Sequence, residues 1–223
     1  MTRSSGNWKT RPGSFDTLHA AHIFPTDGNP WGIPSLRHAP LAYRPAWLVP
    51  YRTRLRGAEG TTGGAVHFFL DDYRFESVWG RPDKALQALR PYKTVLTPDF
   101  SLYVEFPLTL QIWNTYRSRW CGAYWQQQGF QVIPTVSWSS PDSYTFCFTG
   151  LPQRSLVALS TVGVRQAEFA LFAQGYRELI TRLRPSRVLC YGSLPADLDG
   201  LAEVTCYPPQ AVRLARRTTA INA

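Results

Sequence analysis

Apolar residues in this chain come in short runs, and from about residue 47 onward the runs alternate between two spacings. Trp47-Leu48-Val49 is a short strand stopped by Pro50, and a loop ending in Gly-Thr-Thr-Gly-Gly follows at 60–64. Residues 66–70 form a buried strand, and Pro82–Leu89 a short helix with Asp83 near its start. Thr94–Leu96 is the next strand and leaves through Thr97-Pro98-Asp99. A long helix then opens at Pro107, a residue suited to the first turn. Its apolar positions Leu108, Ile112, Tyr116, Trp120 and Tyr124 are spaced four apart, and Gly129 stops it. Trp113 and Trp120 fall on or beside this stripe as packing residues, whereas Arg117 and Arg119 are expected on a solvated face.

The alternation continues with a strand over 131–136. Residues 144–148 fit either a strand or one buried helical turn. A strand at 156–159 runs into Ser160-Thr161-Val162-Gly163. The helix after it covers 166–184 and presents Phe169, Phe172, Tyr176, Leu179 and Leu183 on one face. Its last turn is basic, which suits the helix dipole, and Pro185 ends it. Arg187–Tyr191 and Val204–Tyr207 are the last strands. Strands separated by helices pair in parallel through right-handed crossovers. A complete eight-unit barrel takes ~250 residues, and only roughly 160 lie in the alternating region. The expected fold is therefore α/β, a mostly parallel sheet of about six strands, open or incomplete and βα-barrel-like. A three-layer doubly wound sheet is the alternative. Residues 1–28 read as a flexible basic arm, 29–207 as a single α/β domain and 208–223 as a basic tail. Trp31 and Ile33, in a turn-rich segment, would pin the arm to the body.

Parallel strands place all their carboxyl ends on one rim, and every exit is polar. Asp71, Asp72, Tyr73, Arg74 and Glu76 follow the first long strand, and Asp99 and Ser101 the next. Ser137 and Trp138, then Ser160 and Thr161, then Tyr191 follow the others. Adjacent carboxylates are costly inside a strand, so Asp71-Asp72 belongs where a strand emerges. Carboxylates, hydroxyls and aromatic faces together suit a planar polar ligand such as a nucleobase or a sugar. Asp71, Asp72 and Asp99 are the candidate catalytic residues. Close carboxylates can share Mg²⁺ or Mn²⁺ through oxygen ligands. Alternatively, like-charge proximity raises one pKa and creates an acid/base or nucleophile pair. The competing structural use is that one Asp caps a turn, another pairs with Arg74, and Arg74 with Glu76 forms an ion pair of the loop.

Several other classes find no support. No phosphate loop ends in Lys-Ser/Thr, and no G-x-G-x-x-G follows a strand. The histidines and cysteines never cluster as zinc ligands, and His19 and His22 lie in the arm. His67 opens its strand as a packed residue, at the wrong end for a Ser-His-Asp triad.

The net charge of +9 matters because of where it lies. Residues 57–203 hold 13 basic and 13 acidic residues, and residues 1–56 hold eight basic and two acidic. Residues 204–223 add Arg213, Arg216 and Arg217 without an acid. A basic excess confined to the flanks, with Arg52, Arg54 and Arg56 among it, points to a polyanion, most naturally nucleic acid. Solvated tails are the plainer reading of the same charge. No apolar run reaches the ~20 residues of a membrane span, and the N-terminus lacks a secretory pattern. Four dispersed cysteines in apolar surroundings read as buried thiols of a reducing cytoplasm.

Five stretches carry a resemblance: 68–76, 96–103, 132–138, Ser160-Thr161-Val162-Gly163-Val164 and Val188-Leu189-Cys190-Tyr191-Gly192. Over roughly residues 29–208 the chain resembles the domain of unknown function 4417 family of bacteria, phages and mobile elements. The resemblance implies a phage, prophage or plasmid setting and no particular reaction. The leading functional expectation is an enzyme acting on a nucleic acid or nucleotide, with Trp138 and Tyr191 holding a base. The alternatives are a non-catalytic DNA-binding accessory protein that uses its basic flanks, and an anti-defence module that binds a host factor.

Overall fold

The computed structural model describes residue 19 and residues 21–51 and 63–209. It contains seven strands: β1 Trp47–Pro50, β2 Gly64–His67, β3 Thr94–Leu96, β4 Gln131–Ile133, β5 Leu156–Ser160, β6 Arg187–Tyr191 and β7 Val204–Tyr207. They form two parallel ladders, β1-β2-β3-β4 and β5-β6-β7. The chain just after β4 ties the ladders together. Ala158 donates to the Pro134 carbonyl and Val136 donates to the Ala158 carbonyl, both at 2.8 Å. Thr135 forms a parallel bridge with Ala158 at this point. The strands thus lie side by side in the order in which the chain makes them.

Side chains along a strand alternate between faces, and here the two faces meet different partners. Leu48, Ala65, Leu96, Ile133, Leu156, Ala158, Leu189, Tyr191 and Tyr207 belong to one buried cluster with a member from every strand. Only a curled sheet brings the inner faces of both edge strands into the same core. The alternate residues Val66, Val95 and Val132 pack outward with Trp120, Tyr124 and Trp125 of α3 (Leu108–Gln127). Val157, Leu159 and Val188 pack with Phe172, Tyr176 and Leu179 of α4 (Phe169–Leu183). Among the described residues β1 and β7 are both edge strands and do not pair, so the sheet is an open, incomplete βα barrel.

Residues 33–45 close the end of the barrel where the strands begin. Ala39 N–H donates to Ser155 Oγ at 2.9 Å and its carbonyl accepts Leu156 N–H at 2.9 Å. Leu36 donates to the Gly150 carbonyl, and the Tyr207 hydroxyl donates to the Pro45 carbonyl at 2.6 Å. This floor leaves the opposite end, where the strands finish, as the open rim. Upstream of it, the His19 ring packs edge-on against Trp79 and tilted against Trp120, while His22 meets Tyr124 and Phe24 meets Trp120 edge-on.

Three expectations are corrected. β2 ends at His67 rather than at residue 70, because the chain turns at once and Leu70 N–H bonds the Phe68 carbonyl at 2.8 Å. His67 therefore sits at the rim end of its strand, where it is fully buried between aromatic rings. Of the two readings open for residues 144–148, the helical turn fits: a 3-10 turn over Pro141–Thr145 leads into them, and Cys147 N–H bonds the Ser143 carbonyl at 2.8 Å. Arg117 and Arg119 are not solvated but 8% and 3% exposed, since α3 is covered on nearly all sides over its second half. The remaining helices, α1 (Ser77–Gly80) and α2 (Pro82–Leu89), pack Val78, Trp79 and Leu89 into the same core as α3. Among the described residues no helix is long and apolar enough to cross a membrane.

Candidate functional site

The exits of β3 and β4 are fastened to each other, and this sets the geometry of the rim. Thr97 N–H bonds the Ile133 carbonyl at 3.0 Å. Beyond it, Thr135 N–H donates to Thr97 Oγ1, and Thr135 Oγ1 donates to the Thr97 carbonyl, both at 2.8 Å. Two residues further along each strand, Asp99 and Ser137 emerge as neighbours, and the Ser137 hydroxyl donates to Asp99 Oδ1. Burial pushes the Asp99 carboxyl up to about 7 against the Ser137 hydrogen bond, which lowers it. The negative charge of Asp72 raises it further and Arg119 lowers it.

Arg119 lies beneath this pair as a strut from α3. Its guanidinium donates to the carbonyls of Thr135, Cys147 and Thr149 at 3.0, 2.8 and 3.3 Å. Burial brings its pKa down to about 10. The cost of burying an arginine is offset because fixed carbonyl dipoles replace water around the charge.

Asp72 belongs to a second, linked network. It accepts Ser101 N–H at 3.1 Å and Ser101 Oγ at 2.9 Å. The Ser101 carbonyl accepts Asn114 Nδ2 at 2.7 Å, and Asn114 Oδ1 accepts Arg117 Nη2 at 2.7 Å. Arg117 then reaches Glu76 at 2.5 Å, with its guanidinium 3.9 Å from the Phe100 ring centre. Glu76 is thus paired with Arg117 of α3 and not with Arg74, which is exposed. Asp71 is exposed at the start of the 3-10 turn Asp72–Arg74. Among the described residues no three His, Cys, Asp or Glu side chains gather as a metal-holding group, so Asp71, Asp72 and Asp99 do not assemble as a trio.

The other rim residues divide between fastening and display. Ser160 Oγ donates to the Tyr191 carbonyl at 3.3 Å and accepts Val162 N–H at 3.1 Å. Thr161 Oγ1 packs against Gly192, where φ is +116° and a Cβ would come within 2.2 Å of that oxygen. Tyr191 is stacked 4.4 Å from His67 and 5.4 Å from Phe69, inside the barrel mouth. The Trp138 ring lies over Gly175 of α4 and beside Phe172 at 5.4 Å. The Tyr191 ring is buried and the Trp138 ring is half-buried against α4. The rings on display are Tyr73, 80% exposed, and Tyr103, 58% exposed, on the two loops that the Asp72–Ser101 bonds hold together. Tyr103 sits in an apolar stretch with no period, so nothing in the sequence marked it.

A cavity of about 300 Å³ lies elsewhere, lined by Leu86, Arg90, Tyr92, Lys93, Gln128 and Phe130 where β3 and β4 begin. It is on the floor side, away from the rim carboxylates. Arg52, Arg54, Arg56, Arg213, Arg216 and Arg217 lie outside the described residues.

A family model described as "Domain of unknown function (DUF4417)" matches residues 24–208. The Gene 1 protein of Mycobacterium phage L5 is 47% identical over 213 residues, covering 93% of this chain and 91% of the relative. The Gene 1 protein of Mycobacterium phage D29 is 46% identical over 211 residues, covering 93% and 77%. No solved structure matches the chain.

Proposed function

This chain belongs to the DUF4417 family and has phage relatives, and from that premise we propose that it is an enzyme acting on a nucleic acid or nucleotide at the rim of its incomplete barrel. The observation that carries the reading is the Asp99 carboxyl. It stands at a strand exit, is oriented by Ser137, and has its pKa raised to about 7. A carboxyl poised near neutrality takes up and gives back a proton at working pH, which is what general acid/base catalysis requires. Ser137 fixes its direction and Arg119 limits the rise in pKa. Asp72 contributes negative charge and holds Ser101, so its role is positioning.

The exposed rings of Tyr73 and Tyr103 supply faces on which unpaired bases stack. The basic excess near residues 52–56 and 213–217 follows the rim ends of β1 and β7 in sequence, which suits contact with phosphates. The test is turnover of labelled single-stranded DNA, single-stranded RNA and free nucleotides by the wild type and by Asp99→Asn. The expected result is a loss of ~10²-fold or more with Asn, and a wild-type rate that inflects near pH 7. Equal rates for the two proteins, or no turnover of any of these substrates by the wild type, would overturn it.

The confinement of the basic excess to the flanks favours a second reading, a DNA-binding accessory protein without catalysis. Deleting residues 1–28 and 209–223 then removes salt-sensitive DNA binding. Unchanged binding after the deletion sinks that reading.

A further inference from the structure

The proposed enzyme site makes no use of a pair of thiols on the outer face of β6 and β7. In the parallel register of these strands Cys190 is the direct partner of Cys206. Partnered residues of adjacent strands project to the same face with Cα atoms about 4.8 Å apart, inside the ~4.4–6.8 Å that a disulfide spans. The two thiols are near enough for charge on Cys206 to act on Cys190. Their surroundings differ sharply: Cys190 is fully buried, whereas Cys206 is exposed, contrary to the expectation that all four cysteines are buried. Among the described residues β7 ends its ladder with no strand on its other side, which leaves room for the small movement a bond requires.

We propose that Cys206 and Cys190 are an oxidisable dithiol, in which Cys206 is modified first by a peroxide and Cys190 resolves it into a β6–β7 disulfide. The Cys206 thiolate attacks one oxygen of hydrogen peroxide, the O–O bond breaks, and the departing hydroxide takes a proton to become water. The Cys206 sulfenic acid that results is attacked by Cys190 Sγ. The S–O bond breaks, the Cys190 proton leaves with the hydroxide as a second water, and the S–S bond forms. Two thiols are oxidised and one peroxide is reduced to two waters.

The order of events follows from burial. An oxidant reaches Cys206 from solvent and cannot reach Cys190. The Cys190 thiol is held up to about 12, first by burial and then by negative charge on Cys206. Conversion of Cys206 to a neutral sulfenic acid removes the second of these, so the resolving thiol is eased towards reaction only after the first step. Cys190 Sγ also lies 3.9 Å from Thr161 Oγ1, so the bond shifts a contact of the β5 exit loop.

The test treats the full chain with dilute hydrogen peroxide in thiol-free buffer, followed by intact mass and peptide mapping. The wild type is expected to lose two hydrogen atoms, mapped to a Cys190–Cys206 link that dithiothreitol reverses. Cys206→Ser, a change at an exposed position that leaves the core intact, is expected to keep Cys190 reduced under the same dose. Cys190→Ala is expected to leave a sulfenic acid on Cys206 that dimedone captures. Wild-type Cys206 advancing to sulfinic acid with Cys190 still reduced overturns the proposal. So does a Cys206–Cys206 link between chains, or a Cys206 that stays unoxidised.

Discussion

The two ends of the barrel use the same kinds of residue in opposite ways. At the floor, hydroxyl and backbone groups are spent on closure: Ser155 binds Ala39, Tyr207 binds Pro45, and Leu156 seals the core beneath them. At the rim, carboxylates and hydroxyls are held against each other, as with Asp99 and Ser137 or Asp72 and Ser101. The difference teaches that polarity at a strand end is not itself a sign of function. What separates the two ends is the partner: floor groups bond the backbone of a distant segment, whereas the rim pairs set a carboxylate against a hydroxyl.

The sharpest way to break this comparison is at the floor. Leu156→Ala removes a fully buried side chain at the start of β5, and a loss of ~2–5 kcal/mol is expected in chemical denaturation. A loss below ~1 kcal/mol would show that the floor is not the closed end of the core.

At the rim the expected sign reverses. The folded Asp99 pKa of about 7 lies above the ordinary 3.8. Between those values the folded protein keeps a proton that the unfolded chain has released. Stability therefore falls as pH rises from about 4 to about 7 and levels off above. Asp99→Asn should flatten that slope and raise stability at pH 8 by roughly 1–3 kcal/mol. Thermal melts of both proteins across this range check it, and a destabilised Asn variant at pH 8 would mark the carboxylate as structural. The smallest effect is expected at Tyr73→Ala, whose ring is 80% exposed. Stability should stay within ~0.5 kcal/mol, while single-stranded DNA binding by fluorescence anisotropy weakens by ~1–3 kcal/mol.

Strands and helices were legible wherever one residue class dominated a run. Thr94–Leu96, Arg187–Tyr191 and Val204–Tyr207 lie as expected, and Pro107 does precede the long helix. The end of β2 was not legible, because Phe68-Phe69-Leu70 is as apolar as a strand interior yet turns away to line two different cores. Arg117 and Arg119 failed for a related reason. Charge in a sequence reads as surface, and only the folded chain shows that the Thr135, Cys147 and Thr149 carbonyls converge on one guanidinium. In the candidate site, Asp99 and Ser137 were legible as strand exits, since parallel strands bring exits together. Their direct hydrogen bond was not, because it depends on the register between β3 and β4. Trp138 and Tyr191 looked like ligand platforms from composition. Tyr191 is buried between His67 and Phe69, and Trp138 packs against Gly175, contacts that no local pattern announces.

The floor also governs how the chain can be made. Ala39 bonds to Ser155, 116 residues downstream, and Pro45 to Tyr207, 162 residues downstream. A ribosome delivers residues 33–45 long before their partners, at ~5–20 residues per second, so that segment waits several seconds without its native contacts. Closing such long loops before any contact rewards them makes the last assembly step slow and cooperative. The protein therefore completes its barrel only after nearly all of it has been synthesised, and truncated products ending before β7 are natural clients for chaperones and proteases.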